Sequence, residues 1–313
     1  MKYDSIIILG ATATGKTAIS IELAKKLNTE IVNADSMYIY KDLSIGTAKP
    51  LPDEMDGVIH HVIDVAEPNE DFNVVDFRNA AKPIIAEMFN RNLTPIIVGG
   101  TGFYIDSLVK NYSYGNTSKS DQLRIQLEDD LKLHGKEFLY NKLIELNPDI
   151  ATKLHMNDTV RVIRALEILI TSESSNPILD NHEEPILKKP LFIGLNMQRE
   201  ILYDRINKRV DIMVDNGLID EVKQLVDSGL TPETHQSMRG IGYKEIYDYI
   251  QGNCTLEYAL DKIKQHTRNY AKRQITWFKR VENNIVIKID SKSNLNDIVS
   301  NIINDINNKK TEH

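Results

Sequence analysis

Near the amino terminus, Gly10-Ala11-Thr12-Ala13-Thr14-Gly15-Lys16-Thr17 satisfies the pattern G-x-x-x-x-G-K-[ST] in full. The two glycines let the backbone wrap an anion, so that successive N–H groups point at phosphate oxygens. A helix starting at the loop adds its positive dipole end, Lys16 a point charge, and the Thr17 hydroxyl a ligand for Mg2+. The bland alternative is a chance glycine-rich turn. It is disfavoured by what flanks the loop: an apolar run before it, Ile6-Ile7-Ile8-Leu9, and apolar residues at helical spacing after it. The motif is specific for a polyphosphate and silent on which one.

The surrounding elements must hold this loop at a sheet edge. Residues 6–9 have the unbroken apolar pattern of a strand buried on both faces of a parallel sheet, and 16–27 read as a helix. Strands are predicted at 30–33, 60–65 and 94–98, with an amphipathic helix at 74–90. This alternation predicts an α/β fold, a P-loop NTPase-like doubly wound parallel sheet with helices on both faces. Polar stretches at 112–120 and 171–189 enclose a segment that is helical in pattern, after which a strand resumes at 191–195. Helices over 199–215, 217–228 and 255–280 follow, and the polar tail from 307 reads as frayed. The predicted organisation is a core of residues 1–112 and 189–313, with C-terminal helices, and a helical domain inserted at 113–188.

Composition bounds the function. A chain of 313 residues with 41% hydrophobic and 27% charged residues is an ordinary globular protein. It shows no cationic, apolar leader, and no apolar run approaches the ~18 residues of a membrane span. One cysteine, Cys254, excludes an internal disulfide and a cysteine-built zinc site. A cytoplasmic monomer without membrane partners is expected. The net charge of −7 argues against wholesale coating of nucleic acid, although a local basic strip is compatible with it.

P-loop motors close a later strand with an acid that helps hold Mg2+. Here the strand at 94–98 ends in Gly99-Gly100-Thr101, and the other acid to consider, Asp64, stands early in the chain. A hydrolytic motor is therefore disfavoured, leaving a small kinase or another group transferase.

More specific blocks follow in order: Asp35-Ser36-Met37-Tyr38-Ile39-Tyr40, Ile45-Gly46-Thr47-Ala48-Lys49-Pro50, His60-His61-Val62-Ile63-Asp64 and Val98-Gly99-Gly100-Thr101-Gly102. Asn157-Asp158 through Arg161, Arg164-Ala165-Leu166-Glu167, Gly240-Ile241-Gly242-Tyr243-Lys244-Glu245 and Ala271-Lys272-Arg273-Gln274-Ile275-Thr276-Trp277-Phe278 complete the set. Over nearly its whole length the chain resembles the bacterial tRNA dimethylallyltransferases, which prenylate the adenosine 3′-adjacent to the anticodon. It departs from the family where Tyr38 replaces a common Gln and Ala11 a usual Pro.

The resemblance implies dimethylallyl diphosphate in the loop Gly10–Thr17 with Mg2+ on Thr17, and the anticodon stem-loop of tRNA as partner. Loss of pyrophosphate from an allylic carbon develops charge on the leaving oxygens, where loop N–H groups and Lys16 would stabilise it. Arg205 and Arg209, four apart on one helix face, can reach the diphosphate; the resemblance favours Arg205, and Arg209 is evenly balanced against a solvated face paired with Asp204 or Asp211. Adenine's exocyclic amine is a poor nucleophile and needs a base. From spacing alone Asp35 reads as a helix cap beside Ser36. The resemblance makes Asp35 the base and Thr101 a substrate contact, with Ser36, Met37 and Tyr38 among the residues meeting tRNA.

Seven Lys/Arg and no acids stand between Lys262 and Arg280, with Lys264, Arg268 and Lys272 stepping by four and Arg273 beside them. Such a strip on an acidic protein is the footprint of phosphate-backbone contact, whereas solvated faces usually mix both signs. Ile263, Tyr270 and Trp277, seven apart, form the apolar seam of the same helix. In the insertion, Arg161 and Arg164 are candidates to grip the anticodon stem, with Arg164 equally able to pair with Glu167. The target base must flip out of its stack. Gly240 and Gly242 would permit close approach there, Tyr243 would stack, and Lys244 and Gln274 complete the predicted RNA contacts. Two rivals remain: a P-loop nucleoside or small-molecule kinase, in which Asp35 deprotonates a hydroxyl, and a non-catalytic RNA-binding protein with nucleotide-dependent affinity.

Overall fold

The computed structural model describes residues 3–111, 121–171, 184–281, 285–290 and 293–308. In chain order the elements are β1 (Ser5–Gly10), α1 (Lys16–Leu27), β2 (Ile31–Asn33), β3 (His60–His61), α2 (Val74–Asn90), β4 (Ile96–Val98) and α3 (Gly102–Val109). Then come α4 (Asp121–Leu146), α5 (Pro148–Ala151) and α6 (Thr159–Thr171). The chain continues through β5 (Pro190–Met197), α7 (Arg199–Asp215), α8 (Leu218–Asp227), α9 (Tyr243–Ile250), α10 (Leu256–Phe278), β6 (Ile285–Ile289) and α11 (Leu295–Asn308).

The six strands form one parallel sheet in the order β3-β2-β4-β1-β5-β6. Every residue of β1 is buried because it lies between β4 and β5, Ile6 standing opposite both Ile96 and Leu191. Successive side chains of a strand point to opposite faces. Ile7 and Leu9 therefore join Phe77 and Ile85 of α2 and Ile105 of α3, while Ile6 and Ile8 join Leu23 of α1 and Ile302 of α11. Helices thus cover both faces, as the doubly wound reading requires. The chain steps from β1 outward through β2 and β3 on one side, then returns through β4 to β5 and β6 on the other. The carboxyl end of β1 lies at that reversal, where open α/β sheets bind ligands.

Contacts divide the chain into two compact units, Met1–Val109 with Ile186–His313, and Lys110–Pro185. The return to the core falls a little earlier than expected, because the N–H groups of Ile186 and Leu187 both donate to Leu108 O and Leu187 is buried there. Within the second unit, Leu127, Leu139 and Leu143 of α4 pack with Val162 and Leu166 of α6, and α4 kinks at Gly135, whose φ is 82°.

Three further differences from the sequence reading have physical causes. The expected strand at 60–65 stops after His61, because Val62 and Asp64 adopt positive φ (57° and 53°). There Val62 O accepts from the Asn33 side chain at 2.9 Å, and Asp64 pairs with the buried Lys49. Helix α3 was not anticipated, although Tyr104, Ile105 and Leu108 are buried at helical spacing. Nor were β6 and α11, whose Ile285 and Ile289 complete the sheet edge and whose Ile298, Val299, Ile302 and Ile306 cover it.

The ends of β2 and β4 touch with no room between them. Ala34 N donates to Val98 O (2.8 Å) and Thr101 N to Ala34 O (3.1 Å), so a Cβ on Gly99 would lie 2.2 Å from the Ala34 carbonyl. Backbone cannot yield as a flexible side chain can. Gly99→Ala is expected to destabilise the fold by about 1–3 kcal/mol or more, measured by denaturant unfolding against the native chain.

Candidate active site

The loop after β1 is built to be completed by an anion. Gly15, with φ 90°, starts α1 in a conformation few other residues adopt, and it offers no side-chain cap; the first turn contains no acid. The amino-terminal N–H groups of α1 are thus left for a ligand. The Thr14 hydroxyl braces the loop by donating to Ala11 O at 2.7 Å. Lys16 curls over it, its ammonium donating to Gly10 O (2.9 Å) and Ala11 O (3.0 Å). Burial pulls the Lys16 pKa down to about 8; Asp35 opposes that shift and Arg209 adds to it.

A side chain from α10 locks the loop to the sheet. Gln274 accepts from Thr12 N at 2.8 Å and donates to Gly100 O at 3.0 Å. One turn earlier, the Tyr270 hydroxyl donates to the same carbonyl at 3.2 Å. Gln274 is buried, so its assignment to the RNA-contacting surface is corrected: its amide is committed to joining the loop to the end of β4.

Asp35 stands two residues past the end of β2. Asn33 holds the turn, accepting from Asp35 N (3.1 Å) and donating to Asp35 O (3.2 Å). Asp35 Oδ1 accepts from Met37 N at 3.0 Å, but residues 36–39 form a turn and not a helix, so the expected helix cap is corrected to a local turn bond. It does not consume the residue, because Asp35 also lines two cavities at once. The first, about 370 Å3, holds the loop residues Lys16 and Thr17 with Tyr38, Arg205 and Arg209. The second, about 340 Å3, includes Ser36, Met37, Gly240, Lys244 and Arg273. Thr12, Thr47, Arg209 and Tyr270 are shared by both. Thr101 works on the turn itself: its hydroxyl accepts from Ser36 N at 2.9 Å and donates to Ser36 Oγ at 3.1 Å.

Arg205 and Arg209 both line the first cavity, and neither takes the acids that could have claimed them. Asp204 pairs with Lys208 and Asp211 with Lys264. Arg205 is exposed, while Arg209 reaches inward to Thr12 Oγ1 (3.4 Å) and Ala48 O (3.5 Å). The sequence undervalued Arg209. It also gave no sign of Glu221, whose carboxylate accepts from the N–H groups of Ser44 (2.9 Å), Ile45 (2.7 Å) and Gly46 (3.0 Å) and from the Tyr243 hydroxyl (2.6 Å). That carboxylate shapes the segment that carries Thr47 into the wall of both cavities.

Several predicted RNA contacts are corrected. Tyr243 is fully buried and cannot stack on a base; its ring fills the space beside Gly46, where a Cβ would lie 2.7 Å away. Gly240 packs against the end of the Met37 side chain, whose Cε would stand 2.5 Å from a Cβ, and Gly242 is required by its φ of 102° at the start of α9. These glycines answer demands inside the protein. On α10, Lys264 is neutralised by Asp211 at 2.6 Å, and Arg268 leans on the neutral Asn207 at 2.7 Å. Lys272 and Arg273 are exposed, and Arg273 stacks over the Tyr270 ring at 5.7 Å. Lys244 lies 3.7 Å from Glu245. In the Lys110–Pro185 unit, Arg164 is held by the buried Glu167 at 3.1 Å, and Arg161 is exposed beside Asp158 at 3.4 Å. Asp64, tied to Lys49 at 2.5 Å, is not available as a metal-holding acid.

A phosphate loop feeding one cavity, with a carboxylate shared by the next, defines a P-loop group transferase. The comparisons narrow the class. The model of the IPP transferase family matches residues 38–281, and the chain belongs to that family. It is similar to the tRNA dimethylallyltransferase of Halalkalibacterium halodurans, 45% identical over 285 residues and 90% of each chain. Among solved structures it resembles the tRNA isopentenylpyrophosphate transferase of Bacillus halodurans, with TM-score 0.70 and 42% identity over 97% of each chain. A eukaryotic dimethylallyltransferase described as acting on tRNA superposes with TM-score 0.83 at 31% identity, covering 97% of this chain and 78% of its own.

An anion at the loop should restore the Lys16 proton. Without ligand, the charged Lys16 penalises the fold below about pH 8; stability should rise from there toward pH 10.5, as the folded form sheds the proton first. Binding of inorganic pyrophosphate just above pH 8 should therefore draw a proton onto the protein. Calorimetry in buffers of differing ionisation enthalpy should detect an uptake that Lys16→Ala abolishes.

Proposed function

We propose that this chain transfers a dimethylallyl group from dimethylallyl diphosphate to the N6 amine of the adenosine 3′-adjacent to the anticodon in tRNA. The observation that carries the reading is the position of Asp35, on the wall common to the phosphate-binding cavity and its neighbour. A donor held by its diphosphate in the first and a base entering from the second would meet there.

In this scheme the diphosphate lies on the N–H groups at the start of α1, with Lys16 and Arg209 facing it and Arg205 at the outer wall. As the allylic C–O bond breaks, its electron pair goes to the leaving oxygen, where these groups stabilise the charge. The adenine nitrogen forms the new bond to that carbon, and Asp35 takes the proton the amine gives up. Thr101 and Asn33 hold the turn that aims Asp35. The Thr17 hydroxyl suits Mg2+, a cation that keeps several waters and takes phosphate oxygens as ligands. Among the described residues no cluster of three acids, His or Cys competes for that role, so water and diphosphate would supply the remaining ligands. When bound, Mg2+ neutralises charge on the leaving group. A kinase is not favoured: the relatives are named for prenyl transfer to tRNA. No helix among the described residues is long and apolar enough to cross a membrane.

Incubation of the purified protein with Mg2+, dimethylallyl diphosphate and tRNA, followed by nucleoside mass spectrometry, tests the reaction; an unmodified adenosine would refute it. Asp35→Ala should slow single-turnover transfer by about 10²–10⁴-fold while tRNA still binds. A variant retaining more than about a tenth of the rate would remove Asp35 as the base.

The charges on α10 should not contribute equally to RNA binding. Arg273→Ala should flatten the slope of log affinity against log salt by nearly one unit. Lys264→Ala should change it less, because Asp211 already neutralises that ammonium. Equal slopes for both variants and the native chain would place the RNA backbone elsewhere.

A further inference from the structure

The loop between β2 and β3 carries one aromatic residue into the phosphate-binding cavity. Tyr38 lines the first cavity, and its hydroxyl donates to Ala48 O at 2.7 Å. Ala48 holds an unusual backbone conformation for a residue with a side chain, φ 54°, which aims that carbonyl. The same oxygen is the distant partner of Arg209 Nη2 at 3.5 Å, while Arg209 Nη1 stands 3.4 Å from Thr12 Oγ1. Beyond Ala48 lies a separate cavity of about 410 Å3, which Ala48 lines and Tyr38 does not; Thr17 and Arg209 border both spaces. The Tyr38–Ala48 bond is therefore a partition closing the phosphate site on that side.

We propose that Tyr38 is a positioning residue for the donor's diphosphate, acting by fixing the Ala48 carbonyl and, through it, the Arg209 guanidinium beside the P-loop. The contacts of Arg209 are long, at 3.4 and 3.5 Å, so they orient the guanidinium beside the loop and leave it able to turn its donors to an entering diphosphate. The short Tyr38 bond keeps the carbonyl, and with it the direction of approach, in place. Burial, with Asp35 nearby, raises the phenol pKa to about 12, so the hydroxyl keeps its proton and remains a donor at any ordinary pH. Tyr38, Thr17 and Arg209 line the same cavity, so the brace stands among the groups that would meet the donor and its Mg2+. Only Ser36 and Met37 separate it from Asp35, so the same turn carries the base and the brace.

The proposal rests on the P-loop taking a diphosphate, and the test separates the two ideas. Tyr38→Phe removes the hydroxyl and keeps the ring. Loss of one hydrogen bond should raise KM for dimethylallyl diphosphate by about two- to tenfold, with KM for tRNA unchanged. In an Arg209→Ala background the same substitution should have almost no further effect, since its influence passes through Arg209. Calorimetric titration with inorganic pyrophosphate gives a second reading that needs no turnover. Native protein that fails to bind pyrophosphate would refute the diphosphate reading itself. Equal pyrophosphate affinity in native and Tyr38→Phe proteins, equal effects in both backgrounds, or a parallel rise in KM for tRNA would overturn the role of Tyr38 alone.

Discussion

The site is organised around a shortage of negative charge. A half-buried ammonium, a nearby guanidinium and the uncapped amino terminus of α1 converge on one space, and Asp35 is the anion that opposes them in the environment of Lys16. Such an arrangement is unfavourable until a polyanion enters, because charge removed from water costs free energy unless it is compensated. The surrounding structure serves to hold these groups apart from protein acids that would satisfy them. Asp204 and Asp211 are drawn off by lysines, Asp64 by Lys49, and Glu221 by backbone N–H groups. Affinity for a polyanion is thereby built into the fold.

Positioning is achieved mainly by main chain. Gly99 lets the ends of β2 and β4 meet, which brings the turn containing Asp35 against Thr101. Glu221 bends the segment before Ala48 by gathering three successive N–H groups. A few short polar contacts therefore transmit the rigidity of the sheet to the loops at its carboxyl edge. This suits electrostatic catalysis, which depends on dipoles that need not reorient during reaction.

What the sequence disclosed follows the range of the interactions involved. The P-loop, β1, α1 and α2 were legible because each is specified by neighbours in sequence, an apolar run or a helical period. The strand after His60 was overextended because the groups that end it, Asn33 and Lys49, come from other segments. Tyr243 and Gln274 were misjudged for the same reason. Both have side chains suited to RNA, and only their tertiary partners, Glu221 for one and Thr12 with Gly100 for the other, show that they face inward. The acid-free strip on α10 misled in part because the acid that neutralises Lys264 lies on α7.

The bond between Thr12 and Gln274 also bears on how the protein is made. Its partners are 262 residues apart, so the phosphate loop is synthesised long before its lock on α10. Closing so long a loop adds little to the equilibrium cost, which grows only as the logarithm of length. Its consequence is kinetic, since contacts remote in sequence form late. The nascent chain therefore carries a P-loop without its brace until α10 has been made, and competence for catalysis should arrive only when α10 docks.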